Sequence, residues 1–170
     1  MSAQKRYGYR TAMGAAGGIV DIAPYAIDTF LNEEDTGKLM FGMGVVQGAK
    51  AGKGIALPTG DSTAAKFEGI TVNGRTTEYD VEGKLALRNG ASVGVMRYGR
   101  IYARVAADAD PKYGDPAHLI IEGEDAGLFT KTASSSSGSK TVAIKGRFLS
   151  GIDSTGNNIA VVELFNEANG

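Results

Sequence analysis

Ser92 is the residue best placed for catalysis, because the segment Gly90-Ala-Ser-Val-Gly94 matches the Gly-x-Ser-x-Gly nucleophile elbow. Three aspartates and the only histidine, His118, follow it in the order used by α/β-hydrolases. An elbow needs a helix after the serine, whereas residues 93–105 alternate as strands do. A chain of 170 residues also lacks room for the parallel sheet that would position His118. We therefore predict that Ser92 starts a strand and that the chain has no catalytic residues.

Two further segments resemble ligand-binding loops without completing the pattern. Residues 108–115 open like a calcium loop, but Lys112 occupies the fifth position and Leu119 the twelfth, where oxygen ligands are needed. Residues 47–54 resemble a phosphate loop that lacks the leading Gly, the closing Ser or Thr, and a following helix. With no Cys and a single His, a transition-metal site is also disfavoured. The sequence predicts no metal and no cofactor.

Composition favours a small all-β domain. Gly accounts for 25 of 170 residues, about twice the usual share of roughly 7%, and interior Gly weakens helices. The 18 basic residues do not exceed the 19 acidic ones, so nucleic acid is not an expected partner. The longest uncharged stretch, 39–49, is too short to span a membrane, and we expect no membrane contact.

Short apolar runs separated by turns then predict the positions of the strands. Thr141 to Leu149 is the clearest case, with Val142, Ile144 and Phe148 on one face. Gly99 predicts a tight turn, so residues 92–106 are expected to form a β-hairpin. Many short strands without intervening helices indicate a small β-barrel or a β-sandwich. The further predicted strands are 39–46, 66–72, 84–88, 118–122 and 158–165.

The first part of the chain looks different from the rest. Residues 1–20 carry three basic residues and no acid, and residues 21–37 carry five acids and no base. The apolar residues among the first twenty follow neither the period of 2 that is typical of a strand nor the period of 3.6 that is typical of a helix. We therefore interpret 1–37 as an extended arm with few partners in its own chain, and 38–170 as the β core. Within the arm, Pro24 and the apolar spacing predict a short helix at 24–34.

The segment 38–170 contains one cluster of aromatic and basic residues. Tyr98 and Tyr102 are interleaved with Arg97 and Arg100, and alternate residues of a strand can present such side chains as one patch. This patch is a candidate contact surface.

Four segments of the sequence carry a resemblance to a known family. They are Leu39–Gly48, Lys66–Val72, Ser92–Ile101 and Asn158–Leu164. Taken in order, they resemble the structural cement proteins of tailed bacteriophages, also called capsid decoration proteins. The resemblance covers roughly residues 20–165, while the basic first ten residues and the Ser-rich loop 134–139 depart from it.

The resemblance implies a non-enzymatic virion component on the outer surface of an assembled capsid. Its expected partner is the major capsid protein, whose neighbouring subunits it would clamp, and the protein is expected to form a homo-oligomer, a trimer or alternatively a dimer. A β-type binding module, either tail-associated or carbohydrate-binding, is the alternative; an esterase acting through Ser92 is the least favoured. The candidate capsid contacts are Lys5, Arg6, Tyr7, Tyr9, Arg10, Tyr25 and Phe30, with Arg97, Tyr98, Arg100 and Tyr102 as an oligomer or capsid contact patch.

Overall fold

A computed structural model describes residues 14–74, 78–79, 85–153 and 158–165 of the chain. The described residues form strands and one short 3-10 turn at Ala64–Lys66, which confirms the all-β prediction. No helix among them is long and apolar enough to cross a bilayer. The strands are β1 (Ala26–Asn32), β2 (Gly44–Gln47), β3 (Gly54–Ala56), β4 (Phe67–Thr71), β5 (Glu78–Tyr79), β6 (Leu85–Ala86), β7 (Ser92–Arg104), β8 (Pro116–Ile120), β9 (Phe129–Thr130), β10 (Thr141–Phe148) and β11 (Ile159–Leu164).

Five of these strands close into a barrel in the order β1-β3-β2-β4-β7, because β7 also pairs with β1. The β1–β7 pairing is antiparallel and runs from Ala26 opposite Tyr98 to Leu31 opposite Ser92. Only β1 and β3 pair in parallel within the barrel. The remaining strands of the main sheet extend from β7 in the order β11-β10-β8-β9, which we call the side sheet.

The predicted hairpin at 92–106 is wrong, because β7 is one continuous strand of 13 residues. Its first half pairs with β1 and β4, and its second half pairs with β11 from Gly99 opposite Leu164 to Arg104 opposite Ile159. Gly99 has a φ of +121°, but it serves a close approach: a Cβ on it would lie 2.6 Å from the Cβ of Tyr25. Neighbouring strands on both halves therefore outweigh the local turn signal.

The predicted helix at 24–34 is also wrong, since residues 26–32 form β1. Phe30 and Asn32 are buried, and the Asn32 side-chain amide donates to the carbonyls of Leu87 and Arg88, both at 2.9 Å. Pairing with β7 satisfies the backbone of β1 across the barrel seam, so tertiary contacts override the helical spacing. Phe30 is 6% exposed, which corrects its assignment as a capsid contact.

The expectation that the first segment has few partners in its own chain is wrong for the residues that precede β1. The amide of Gly17 donates to the carbonyl of Tyr102 at 2.7 Å, Tyr102 donates to Gly18 at 3.0 Å, and Val20 donates to Arg100 at 3.1 Å. Residues 17–20 thus add to the second half of β7. Residues 1–13 lie outside the described residues, and the arm stays a prediction for them.

The other predicted strands overlap observed ones with shifted bounds. The prediction 39–46 is a strand only from Gly44, 84–88 is a strand at Leu85–Ala86, and 118–122 begins two residues after the start of β8. Two groups of buried side chains form the core. The first joins β7 to the side sheet, and Phe67 meets Phe129 there edge to face at 6.5 Å. The second lies among barrel strands and contains Phe30, Leu39, Phe41, Met43, Val45, Ile55, Leu87, Val93 and Val95.

Candidate partner-binding face

Four charged side chains form a continuous ladder across the sheet. Glu163 lies opposite Arg100 of β7 and also opposite Arg147 of β10, so the register places all three on one face. Its Oε1 accepts from Arg100 Nε at 3.0 Å and its Oε2 accepts from Arg147 Nε at 2.8 Å. Arg100 Nη1 also donates to Asp21 Oδ2 at 2.8 Å. We call Asp21, Arg100, Glu163 and Arg147 the ladder.

Hydrogen bonds keep the ladder ionised. Burial alone would raise the pKa of Glu163, but bonds from Arg100 and Arg147 outweigh it and hold that pKa below its ordinary value. The bond from Arg100, with the Ala23 amide, likewise lowers the pKa of Asp21. The hydrogen bonds that Arg100 donates to Asp21 and Glu163 raise the pKa of Arg100 in turn. The ladder therefore satisfies its own charges without a partner molecule.

Exposed apolar side chains flank the ladder at both ends. The Arg147 guanidinium lies 5.9 Å from the ring centroids of both Tyr113 and Phe165, which are 72% and 44% exposed. At the other end Ile22, which follows Asp21, is fully exposed. The other large hydrophobic side chains that are exposed in the described ranges, Ile19 and Tyr25, belong to the same segment as Ile22. We call the ladder together with Ile22, Tyr113 and Phe165 the contact face.

Part of the predicted aromatic and basic patch belongs to this face. Tyr98, Arg100 and Tyr102 alternate with the buried residues of β7 and so share one side of the strand. Arg97 is separated from the ladder and instead pairs with Glu68 at 2.9 Å and with Asp28 at 3.7 Å. Arg97 therefore lies outside the ladder, while Arg100 belongs to it.

Arg97 and Tyr98 border a cleft of about 540 Å³ between the barrel and the side sheet. Phe67 and Phe165 line the same cleft, and Phe165 thus joins it to the contact face. The remaining lining residues are Ala64, Ala65, Glu68, Ala143, Ile144, Lys145 and Leu164.

The structure places most predicted arm contacts outside its described part. Lys5, Arg6, Tyr7, Tyr9 and Arg10 precede Gly14 and are among the residues it does not describe. Tyr25 is described and is 45% exposed.

Sequence reasoning missed Arg147, Glu163, Tyr113, Phe165 and Ile22. Glu163 is the only charge in the apolar run that forms β11, and this was the signal available. A lone acid in a strand covered on both sides requires a cationic neighbour.

The motifs set aside above have structural roles. Ser92 begins β7, and no helix follows it. In the phosphate-loop-like segment, the amides of Ala49 and Lys50 donate to Glu33 Oε2 at 2.6 and 3.4 Å, so an internal carboxylate occupies them. In residues 108–115, Lys131 Nζ donates to the carbonyl of Asp110 at 2.5 Å.

Comparison with known proteins gives a family and a fold. A family model described as "Structural cement protein (E217 gp24/Pam3 gp6)" matches residues 3–165. A chain from a solved structure titled "The capsid of Myoviridae Phage XM1" superimposes with a TM-score of 0.67 at 21% identity, covering 96% of this chain and 98% of that chain. At this identity the likeness shows a shared fold. No curated protein sequence matches the chain.

Proposed function

The chain belongs to the structural cement protein family, and from this premise we propose that it binds the outer surface of an assembled phage capsid and clamps neighbouring major capsid protein subunits. As a cement protein it is a structural component of the phage capsid. The family match over residues 3–165 is the observation that carries the proposal. The shared fold with a chain of a phage capsid structure is consistent with it.

The energetics of such a role favour a rigid scaffold with a modest contact surface. The closed barrel and the paired ladder fix the contact face before binding, so little conformational entropy is lost. If one protein unit touches several shell subunits, avidity raises the effective affinity by roughly 10²–10⁴. Since the assembled lattice is the form that is bound, binding stabilises it against dissociation.

The first residues of the chain are proposed to add to this grip. Lys5, Arg6 and Arg10 would pair with acidic groups of the capsid protein, and Tyr7 and Tyr9 would add contact area at low rotamer cost. Support comes from the charge of residues 1–20, which contain three bases and no acid.

We further propose a closed homo-oligomer, a trimer or alternatively a dimer, that contacts neither nucleic acid nor membrane. Cyclic symmetry would match a symmetric position on the shell and multiply the contacts made by each chain. Light scattering of the purified protein measures this state, and a monomer at all concentrations would contradict it.

The test of the proposed function uses expanded capsids assembled without the protein. Added protein is expected to co-sediment with them, to appear on the outside by electron microscopy, and to raise the temperature at which the shells open. Absence of binding to intact shells would refute the proposal.

Deletion of residues 2–13 tests the contribution of the arm. These residues precede the hydrogen-bonded segment 17–20, so circular dichroism of the core should not change. We expect binding to weaken by at least about tenfold, since three cations and two aromatic side chains are lost. Unchanged affinity of the truncated protein would reject the role of the arm while leaving the wider function intact.

A further inference from the structure

The segment from Asp21 to Tyr25 bulges away from β7 and presents an isoleucine to solvent. Residues 17–20 and β1 both hydrogen-bond to β7, and the bulge lies between them. Asp21 fixes the bulge by bonding Arg100 at 2.8 Å and the Ala23 amide at 3.0 Å, while Tyr25 rests against Gly99. Ile22 lies at the tip of the bulge, and its side chain is fully exposed. A large aliphatic side chain that is exposed to solvent on a turn fixed by hydrogen bonds is preorganised for burial by another molecule.

The far end of the ladder offers a second apolar anchor of a different type. Phe165 and Tyr113 pack on the Arg147 guanidinium, whose charge is already paired with Glu163. Aromatic side chains together with arginine are the typical composition of binding hot spots. Because the ladder is internally paired, covering it does not strand an uncompensated charge.

The position of Gly14 indicates where the basic first residues begin. A Cβ added to Gly14 would lie 2.5 Å from the Tyr102 ring, so this residue rests on the side chain of Tyr102. Tyr102 shares the side of β7 that carries Arg100. The described part of the chain therefore begins at Gly14, beside the contact face. The thirteen residues that precede Gly14 in the sequence include Lys5, Arg6 and Arg10.

We propose that the contact face is the side of the protein that docks on the capsid shell, against a shell-protein surface that is apolar opposite Ile22 and Phe165 and acidic near Gly14, where the described chain begins. This inference rests on the capsid-binding function proposed above. We expect acidic groups on the partner surface because residues 1–13 carry three cations, and charges across an interface are complementary. A second copy fits less well, because a two-fold contact through this face would bring together two Gly14 residues, each preceded in the sequence by three bases and no acid.

The test substitutes Ile22→Asp and compares it with Ala133→Asp. Ile22 is fully exposed, so its replacement removes no packing within the chain. Ala133 is an exposed residue directly before the Ser-rich loop, and its variant adds the same charge there. Binding to cement-free expanded capsids is measured by co-sedimentation, and oligomeric state by light scattering. Circular dichroism and the melting temperature verify that both variants fold.

We expect Ile22→Asp to weaken capsid binding by at least about tenfold with an unchanged oligomeric state, and Ala133→Asp to bind like the wild type. Hydrogen exchange at the amides of residues 19–23 and of Tyr25 should slow when the wild-type protein is on capsids. Wild-type affinity of Ile22→Asp overturns the inference, as does dissociation of the oligomer by this substitution, which would make the face an interface between copies. Failure of the wild-type protein itself to bind would refute the proposed function and the inference with it.

Discussion

Glu163 is the centre of the ladder, and its replacement by Gln tests how much the ladder stabilises the fold. The Glu163 side chain is 17% exposed, while those of Arg100 and Arg147 are about 40% exposed. The stabilisation by each ion pair is therefore expected at the upper end of the range for exposed pairs, which is about 0.2–1 kcal/mol. Glutamine also turns one acceptor into an N–H donor that faces an arginine donor.

The expected loss for Glu163→Gln is therefore about 1–2 kcal/mol in the free energy of unfolding. For a chain of this size it corresponds to a Tm lower by roughly 2–8 °C. The matched control is Glu124→Gln, since Glu124 pairs with Lys38 at 3.4 Å while its side chain is 92% exposed. We expect the control to change the free energy of unfolding by less than about 0.5 kcal/mol.

The same comparison has a predictable pH dependence. The folded pKa of Glu163 lies below its ordinary value of 4.5, so its stabilising contribution is complete above that pH and is lost as the pH falls through the lower folded value. Urea melts of wild type and Glu163→Gln should differ at pH 7 and converge in acid. Equal losses in Glu163→Gln and the Glu124→Gln control, or a difference that persists undiminished in acid, would refute the reasoning.

Two further substitutions test the barrel and the internal loop. Gly69→Ala should lower the free energy of unfolding by about 3 kcal/mol or more, because Gly69 has a φ of +144° and a Cβ there would overlap a carbonyl oxygen of β7. The control Gly74→Ala has open space around it and should lower the free energy of unfolding by less than about 1 kcal/mol. Chemical denaturation measures both values, and equal losses would contradict this prediction. Glu33→Ala should speed hydrogen exchange at the Ala49 amide, because the substitution removes the carboxylate that accepts from this amide. The control Asp35→Ala should leave that exchange rate unchanged. If Glu33→Ala also left it unchanged, the Glu33 carboxylate would not be what orders the loop.

A period-2 pattern was sufficient to predict Thr141–Phe148, because alternation of side chains is a local property of extended backbone. Ile159–Leu164 was predicted from a short apolar run that contains only one charge, which is typical of a strand buried on both faces. The resemblance of the ordered segments to cement proteins also came from sequence alone, and the family match confirms it.

Local signals failed where distant strands compete with them. The turn signal at Gly99 and the helical spacing at 24–34 each reflect preferences of about 1 kcal/mol or less per residue. Pairing of β1 with β7 satisfies a whole row of backbone groups and buries Phe30, which outweighs both preferences.

The sequence by itself determined that the protein is all-β, because composition and the alternation of side chains can be read along the chain. The resemblance of four ordered segments indicated the cement family, which the family match confirms. Only the tertiary structure decided which side chains meet. Asp21, Arg100, Arg147 and Glu163 are far apart in sequence, and the register of β7, β11 and β10 brings them into one ladder. Register depends on the simultaneous pairing of whole strands, and a shift of one residue would turn Glu163 to the opposite face.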